Sequence, residues 1–264
     1  MINTILWSKN RAAQLDLTLN TYKKYFKDWR EQKLNVIYTF SNPFFEQGYN
    51  IVKKHHPEFN WVRETNFRQD TLNCYNNADE KYTSFLVDDD VFVDSFSLDD
   101  KEFKEFDSSE DIACLSCRIA PYVNFCYTQN QPQPQPQFVS KNKWNWLNAV
   151  HDWGYPFSVA SFHIFRKSDL SFINNMPFTF ANTFEGNMDK AKLFHRPYML
   201  CYDHSKCICT TNNRVQSENA NRFENTDPID QLNMYFVMGK RLNTEVNNYA
   251  TINMCHGPLK YIWS

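Results

Sequence analysis

The chain has 264 residues, 42% hydrophobic and 17% aromatic, which supplies enough apolar surface for a substantial core. Its formal charge is -2 with no basic run, which argues against a dedicated nucleic-acid binder. Only 5 glycines occur and no GxGxxG or Walker pattern is present, so a Gly-rich phosphate loop is not expected.

In chain order, Asn3 to Trp7 is a short apolar run expected to form the first strand, and Ser8-Lys9-Asn10-Arg11 its turn. Leu15, Leu17, Leu19, Tyr22, Tyr25 and Phe26 recur at mostly helical spacing, to about Trp29. Leu34 to Phe40 reads as a second strand, and Pro43 suits the start of a helix running to His55. Asn60 to Arg63 is a third strand, Phe67 to Asn77 a helix, and Tyr82 to Val87 a fourth strand. This alternation predicts an α/β fold, a mostly parallel sheet flanked by helices. Ligands of such sheets bind at the carboxyl ends of the strands. The turns Ser8–Arg11, Thr39–Asn42 and Asp88–Asp90 are then expected on one rim.

The second half is expected to hold a short exposed helix from Asp99 to Phe106 and a strand from Asp111 to Arg118. Gln129 to Gln137 alternates Gln with Pro132, Pro134 and Pro136, which excludes a helix or central strand. It reads as an extended surface loop, or as a flap over an acceptor site. Trp144, Trp146, Trp153, Tyr155 and Phe157 are either core or sugar-stacking aromatics. Strands are expected at Tyr155–Arg166, Pro197–Tyr202 and Lys206–Thr210, with helices at Ser168–Asn175, Glu185–Phe194 and Asp230–Met238. Asn182 or Thr183 would cap the Glu185 helix, and Gly239 would end the last one. Asn253 to Pro258 reads as coil. No linker is evident, so residues 1–264 read as one domain, with 1–93 as a nucleotide-binding half and 94–264 as an acceptor-side half.

The densest chemical signal is Asp88-Asp89-Asp90, set between Phe85-Leu86-Val87 and Val91-Phe92-Val93. Carboxylates beside a buried strand need compensation, and a divalent cation is a natural partner. Alternation along an extended chain would send Asp88 and Asp90 to one side and Asp89 to the other. Mn²⁺ and Mg²⁺ suit oxygen donors, and Mn²⁺ also accepts imidazole. Of the 7 His, His256 lies between Cys and Gly-Pro, a setting suited to reaching into a site. Cys114-x-x-Cys117 has zinc-knuckle spacing, but positions i and i+3 of a strand face opposite ways. Glu185 at a helix start either favours the helix dipole or serves as a general base. The 8 scattered cysteines, the lack of Asn-x-Ser/Thr and the lack of an evident signal peptide lead us to expect a cytoplasmic setting. No apolar stretch nears 18 residues, so no membrane span is expected.

The chain resembles GT-A-type glycosyltransferases, especially small single-domain examples from bacteria and large DNA viruses. The resemblance is carried by Leu6-Trp7-Ser8-Lys9-Asn10-Arg11 with Gln14-Leu15-Asp16, and by Val36-Ile37-Tyr38 with Ser41-Asn42 and Gly48-Tyr49. It continues through Glu64-x-Asn66-Phe67-Arg68-x-Asp70 and the DxD-like Asp88-Asp89-Asp90. Asn213-Arg214-Val215-Gln216 with Asn221-Arg222, and Asn253 with His256 and Trp263, complete the set. It implies a GT-A-like fold, a nucleoside diphosphate sugar donor (most often a UDP-sugar), a glycan or glycoprotein acceptor, and Mn²⁺ or Mg²⁺. On that pattern Ser8, Asn10 and Arg11 hold nucleoside or phosphate, Tyr38 and Ser41 line the base and ribose pocket, and Arg68 faces phosphates or sugar. Asp88 approaches ribose or metal, with Asp89 beside it. Asp90 and His256 bind metal, and Glu185 is the base if the reaction inverts. Relatives often carry Ser-x-Asp-Gly where this chain has Ser158-Val159-Ala160-Ser161. A metal-dependent phosphoryl-transfer enzyme or nuclease, and a non-catalytic carbohydrate binder of the same fold, are the alternatives.

Overall fold

The computed structural model describes residues 1–190, 195–216, 222–224, 226–244 and 252–264. Its strands are β1 Ile2–Lys9, β2 Lys33–Thr39, β3 Asn60–Arg63, β4 Tyr82–Val87, β5 Asp90–Phe92, β6 Ile112–Ser116, β7 Phe125–Cys126 and β8 Gln131–Pro132. They continue with β9 Phe138–Ser140, β10 Lys143–Asn145, β11 His163–Arg166, β12 Tyr198–Cys201, β13 Cys207–Thr210, β14 Leu242–Thr244, β15 His256–Gly257 and β16 Tyr261–Trp263. The helices are α1 Ala12–Tyr25, α2 Pro43–His55, α3 Phe67–Asn76, α4 Lys101–Ser108, α5 Ala181–Lys190 and α6 Ile229–Val237.

A nine-stranded sheet in the order β3-β2-β1-β4-β11-β6-β12-β10-β9 runs through the chain. The strands β3, β2, β1 and β4 are mutually parallel, while β11 is antiparallel to both β4 and β6. The fold is α/β with a mostly parallel central sheet, as the alternation predicts. Both faces are covered: in β1, Leu6 joins the core beneath α1 and α2, whereas Ile5 and Trp7 join the opposite one. Gly48 lets α2 approach its neighbours closely, since a Cβ there would lie 2.7 Å from that of Ala12 and 2.3 Å from Asn233 Oδ1.

The first four strands and first three helices match their sequence-derived positions closely. Asn42 caps α2 by accepting from Phe44 N and Phe45 N at 3.0 and 3.3 Å. Asn66 caps α3 through Gln69 N, while Asp70 accepts from Thr65 N and Asn66 N. The later elements depart more. Tyr155–Arg166 is not one strand: only His163–Arg166 is, because Ser161 and Phe162 take positive φ and turn the chain. The α5 helix begins at Ala181, so Asn182 and Thr183 lie within its first turn rather than at a cap. Residues 191–194, the expected end of that helix, lie outside the described residues. The α4 helix is only partly exposed, because it buries Phe103 and Phe106. His256 is not in coil but in β15, because its backbone pairs with β13.

Trp144, Trp146, Trp153 and Phe157 are core residues, and Trp144 Nε1 donates to the Trp153 carbonyl at 2.8 Å. The Gln-Pro tract is not wholly a surface excursion. Gln133 is buried and exchanges hydrogen bonds with Asp152, 3.1 Å each way, while neighbouring Pro134 and Gln137 are exposed. Cys114 and Cys117 belong to cores on opposite sides of the sheet. Among the described residues, no helix is long and apolar enough to cross a membrane.

Candidate active site

Strand order reverses between β1 and β4: the chain leaves β1 outward through β2 and β3, then returns to the other side as β4. Crevices at such reversals are where open α/β sheets bind ligands. Arg11 follows β1 and Asp88 follows β4, so both stand at this point. Asp88 and Asp89 form a turn between β4 and β5, and Asp90 opens β5. The strict alternation expected of an extended triplet therefore fails. Asp88 and Asp89 share one partner, and Asp90 faces elsewhere.

That partner is Arg11, 7% exposed. Its Nη1 donates to Asp88 Oδ1 at 3.0 Å and to Asp89 Oδ2 at 2.6 Å. Its Nε and Nη2 donate to Asn213 Oδ1 and the Asn213 carbonyl at 2.9 and 2.7 Å. The late motif beginning at Asn213 thus reaches the site, while Asn221 lies outside the described residues. Asp88 Oδ2 also accepts from Ser8 Oγ at 2.8 Å and Lys9 N at 3.0 Å. Burial pushes the Asp88 carboxyl up to about 6, with Arg11 opposing and Asp89 adding to the rise. Behind it, Tyr49 OH lies 2.6 Å from Ser8 Oγ and accepts from Arg11 N at 3.3 Å.

Asn10 sits on the same rim at φ 60° and is locked to Ser41. Its Nδ2 donates to Ser41 Oγ at 3.1 Å, and Ser41 N donates to its Oδ1 at 2.8 Å. Asp90 is wholly buried, and its carboxylate accepts from Val87 N at 3.0 Å and Ser161 Oγ at 3.3 Å. Neither donor is charged. Burial, and then Asp89, raise its carboxyl well above the ordinary range. Thr18 Oγ1 lies 2.7 Å from the Asp90 carbonyl and 3.0 Å from that of Asp88, fixing the turn against α1.

The strand β13 links Asp90 to the chain's last segment. Cys209 pairs with Asp90 on one side and with His256 on the other. Residues opposite each other in a ladder project to the same face, so Asp90 and His256 share a face with Cys209 between them. The His256 Nδ1 atom is buried and has no hydrogen-bond partner among the described residues. Burial and then the Arg118 charge lower His256 to about 4, leaving a neutral imidazole at pH 7. A buried carboxylate without a cationic donor and an orphaned imidazole nitrogen have the chemistry of a divalent-metal site. Among the described residues, no three His, Cys, Asp or Glu side chains are gathered to hold a metal unaided. Two protein donors with phosphate oxygens and water completing the shell is a common Mg²⁺ arrangement.

Glu185 lies on α5, its Oε1 accepting from Val159 N at 3.1 Å. Burial raises its carboxyl above the ordinary range, against the Val159 amide and the Arg118 charge, which lower it. The turn Ser158–Phe162 therefore touches Asp90 at one end and Glu185 at the other.

Ser8, Asn10, Arg11, Ser41 and the triplet are thus brought together, while His256 is linked to Asp90 through β13 and Glu185 through the turn Ser158–Phe162. Tyr38 and Arg68 are not part of that group. Tyr38 is 7% exposed and packs behind Tyr49, with ring centroids 5.1 Å apart and Lys53 Nζ on its hydroxyl. Arg68 projects from α3 toward the following layer and donates to the carbonyls of Asn174 and Met176 at 2.6 and 3.2 Å. Sequence reasoning missed Arg118, 2% exposed and ion-paired with Asp152, whose charge acts on both His256 and Glu185. A lone arginine closing the apolar run Ile112–Cys117 was the available signal. A surface hollow of about 550 Å³, lined by residues including Trp29, Lys33, Phe59 and Asn60, lies at the opposite ends of β2 and β3 and meets none of this site.

No protein-family model matches the sequence. The chain is 30% identical, over 281 aligned positions, to the bifunctional glycosyltransferase pgtA of Dictyostelium discoideum. In sequence the chain is thus similar to a segment of a glycosyltransferase. That alignment covers 92% of this chain and 36% of pgtA, so the chain spans about a third of its relative's length. Among solved structures it is similar to S. aureus TarS, with 16% identity, 90% of this chain and 38% of that one covered, and a TM-score of 0.48. It is also similar to the mannosyltransferase PcManGT of Pyrobaculum calidifontis, solved with GDP-Man and Mn²⁺. There the identity is 9%, the coverage 74% of this chain and 53% of that one, and the TM-score 0.43.

Proposed function

We propose that the chain is a divalent-metal-dependent glycosyltransferase that moves a sugar from a UDP-sugar to a hydroxyl of a glycan or glycoprotein acceptor. The observation that carries this reading is Asp90: a fully buried carboxylate with uncharged donors, at the strand-order reversal, on one sheet face with His256, whose Nδ1 has no hydrogen-bond partner among the described residues. The sequence relationship to a glycosyltransferase supports the same reading.

Asp90 and His256 would hold Mn²⁺ or Mg²⁺, which supplies positive charge to a departing diphosphate when bound. Ser8, Asn10 and Ser41 line the nucleotide side of the crevice. Arg11 stands beside them, fixed by Asp88, Asp89 and Asn213. Asp88 has both oxygens engaged, so its role is to orient Arg11 and the β1 turn beside the ribose. In an inverting reaction Glu185 takes the acceptor hydroxyl proton as the oxygen bonds to the anomeric carbon and the nucleoside diphosphate leaves. A carboxyl held above its ordinary range by burial suits a general base. Residues 1–93 form the donor half on this reading and 94–264 the acceptor half, in a cytoplasmic protein.

Calorimetry with UDP, with and without Mn²⁺, tests the reading, followed by turnover with a panel of UDP-sugars. Manganese-dependent UDP binding is expected. UDP binding that is absent, or indifferent to Mn²⁺, would refute it.

A further inference from the structure

Ser161 and Phe162 precede β11 with φ of 65° and 62°, and both are fully buried. This left-handed region favours glycine, and two successive residues with a Cβ are strained there. Strained backbone persists only where its surroundings over-determine it. Here they do. The Phe162 ring packs among Tyr22, Phe26, Phe92 and Phe96 with centroids 5.4 to 6.1 Å away. Its carbonyl accepts from Cys117 N at 3.3 Å. With Phe162 fixed in the core, Ser161 Oγ is aimed at Asp90 Oδ1. Two residues earlier, Val159 N is aimed at Glu185.

We propose that Ser161 is a positioning residue for Asp90, its hydroxyl fixing the carboxylate's orientation, and that the strained turn Ser158–Phe162 sets the spacing between Asp90 and Glu185. The proposal deepens the glycosyltransferase reading and, where metal is concerned, rests on it. A glycine at this position would relax the backbone but supply no hydroxyl. Alanine would keep the Cβ strain and also lack the hydroxyl. The two variants therefore separate backbone shape from side-chain contact.

The test is a pair of variants, S161A and S161G, compared with wild type by crystal structure, melting temperature and Mn²⁺ calorimetry. Both should release the Asp90 carboxylate from its wild-type rotamer. Both should weaken Mn²⁺ binding by about tenfold or more, as loss of a hydrogen bond behind a metal ligand does. S161G should nonetheless melt about 2–4 °C above S161A, because only glycine relieves the strain. Asp90 unmoved in S161A would overturn the proposal, as would S161G binding Mn²⁺ like wild type. A wild type that binds no Mn²⁺ would sink the metal reading alone. The Asp90 rotamer in the variants would still decide the role of Ser161.

Discussion

Replacing Arg11 with methionine tests the electrostatic logic of the site. Methionine keeps much of the arginine's apolar volume and removes its charge and donors. Arg11 Nη1 stands 3.0 Å from Asp88 and 2.6 Å from Asp89. At an effective dielectric of about 20, a contact near 3 Å has a gross Coulomb energy of about 5 kcal/mol. Desolvating the charges offsets much of that, but removing one partner leaves the others buried and uncompensated, which costs about 3–5 kcal/mol. For a chain of this size the melting temperature should fall by about 6–20 °C. The assay is urea unfolding of wild type, Arg11→Met, Asp88→Asn and the double variant. If the loss in Arg11→Met is mainly stranded charge, Asp88→Asn should restore at least about 1–2 kcal/mol in that background. Asp89 carries less of it, since its side chain is 13% exposed against 5% for Asp88. A cost below about 1 kcal/mol for Arg11→Met, or strict additivity in the double variant, would refute the reasoning.

Glu185→Gln should lower turnover by about 10²–10⁴-fold with UDP affinity unchanged, measured as UDP release under saturating donor; a variant turning over like wild type removes Glu185 as the base. Asp90→Asn should stay folded and lose manganese-dependent UDP binding in calorimetry, and unchanged manganese dependence would take Asp90 out of the site. Asp16 links α1 to the end of α2, where burial raises its carboxyl but hydrogen bonds from His56 and His55, both 3.0 Å, outweigh that and hold it below the ordinary carboxylate range. A depressed carboxyl contributes stability that is present above its unfolded pKa and lost as pH falls through the folded one. Unfolding free energy should thus decline below about pH 4, less steeply in Asp16→Asn; identical slopes in urea titrations would contradict the linkage.

The first four strands and three helices were legible because each is a local pattern. An apolar run, a capping Asn and a Pro at a first turn report on their own neighbourhoods. The rim assignment followed from alternation alone, and it brought Arg11 to the triplet. Two things were not local. The turn at Ser161 is imposed by Phe162 docking among aromatics from α1, β5 and the segment after β5, and nothing in Val-Ala-Ser-Phe announces a positive φ. His256 is aligned with Asp90 only because β13 lies between them, a pairing of strands remote in sequence. The partners of Arg68 were illegible for a related reason. Its charge suggested a phosphate, but a residue on α3 points where the helix face points, here toward the carbonyls near Met176.

The triplet divides into two electrostatic parts, and the division explains why three acids can sit at one turn. Asp88 and Asp89 share Arg11, whose single positive charge offsets one of their two negative charges and holds both side chains in place. Among the described residues Asp90 receives uncharged donors, including the Val87 amide and the Ser161 hydroxyl, so its charge is unfavourable there. A fold optimised for stability alone would place an apolar residue there, since a well-packed hydrophobe commonly outperforms a buried charge. That residue is instead supported by a hydroxyl presented from strained backbone, a second local cost. Two local costs converge on one carboxylate, and they single out Asp90 more sharply than the acidic triplet does in sequence.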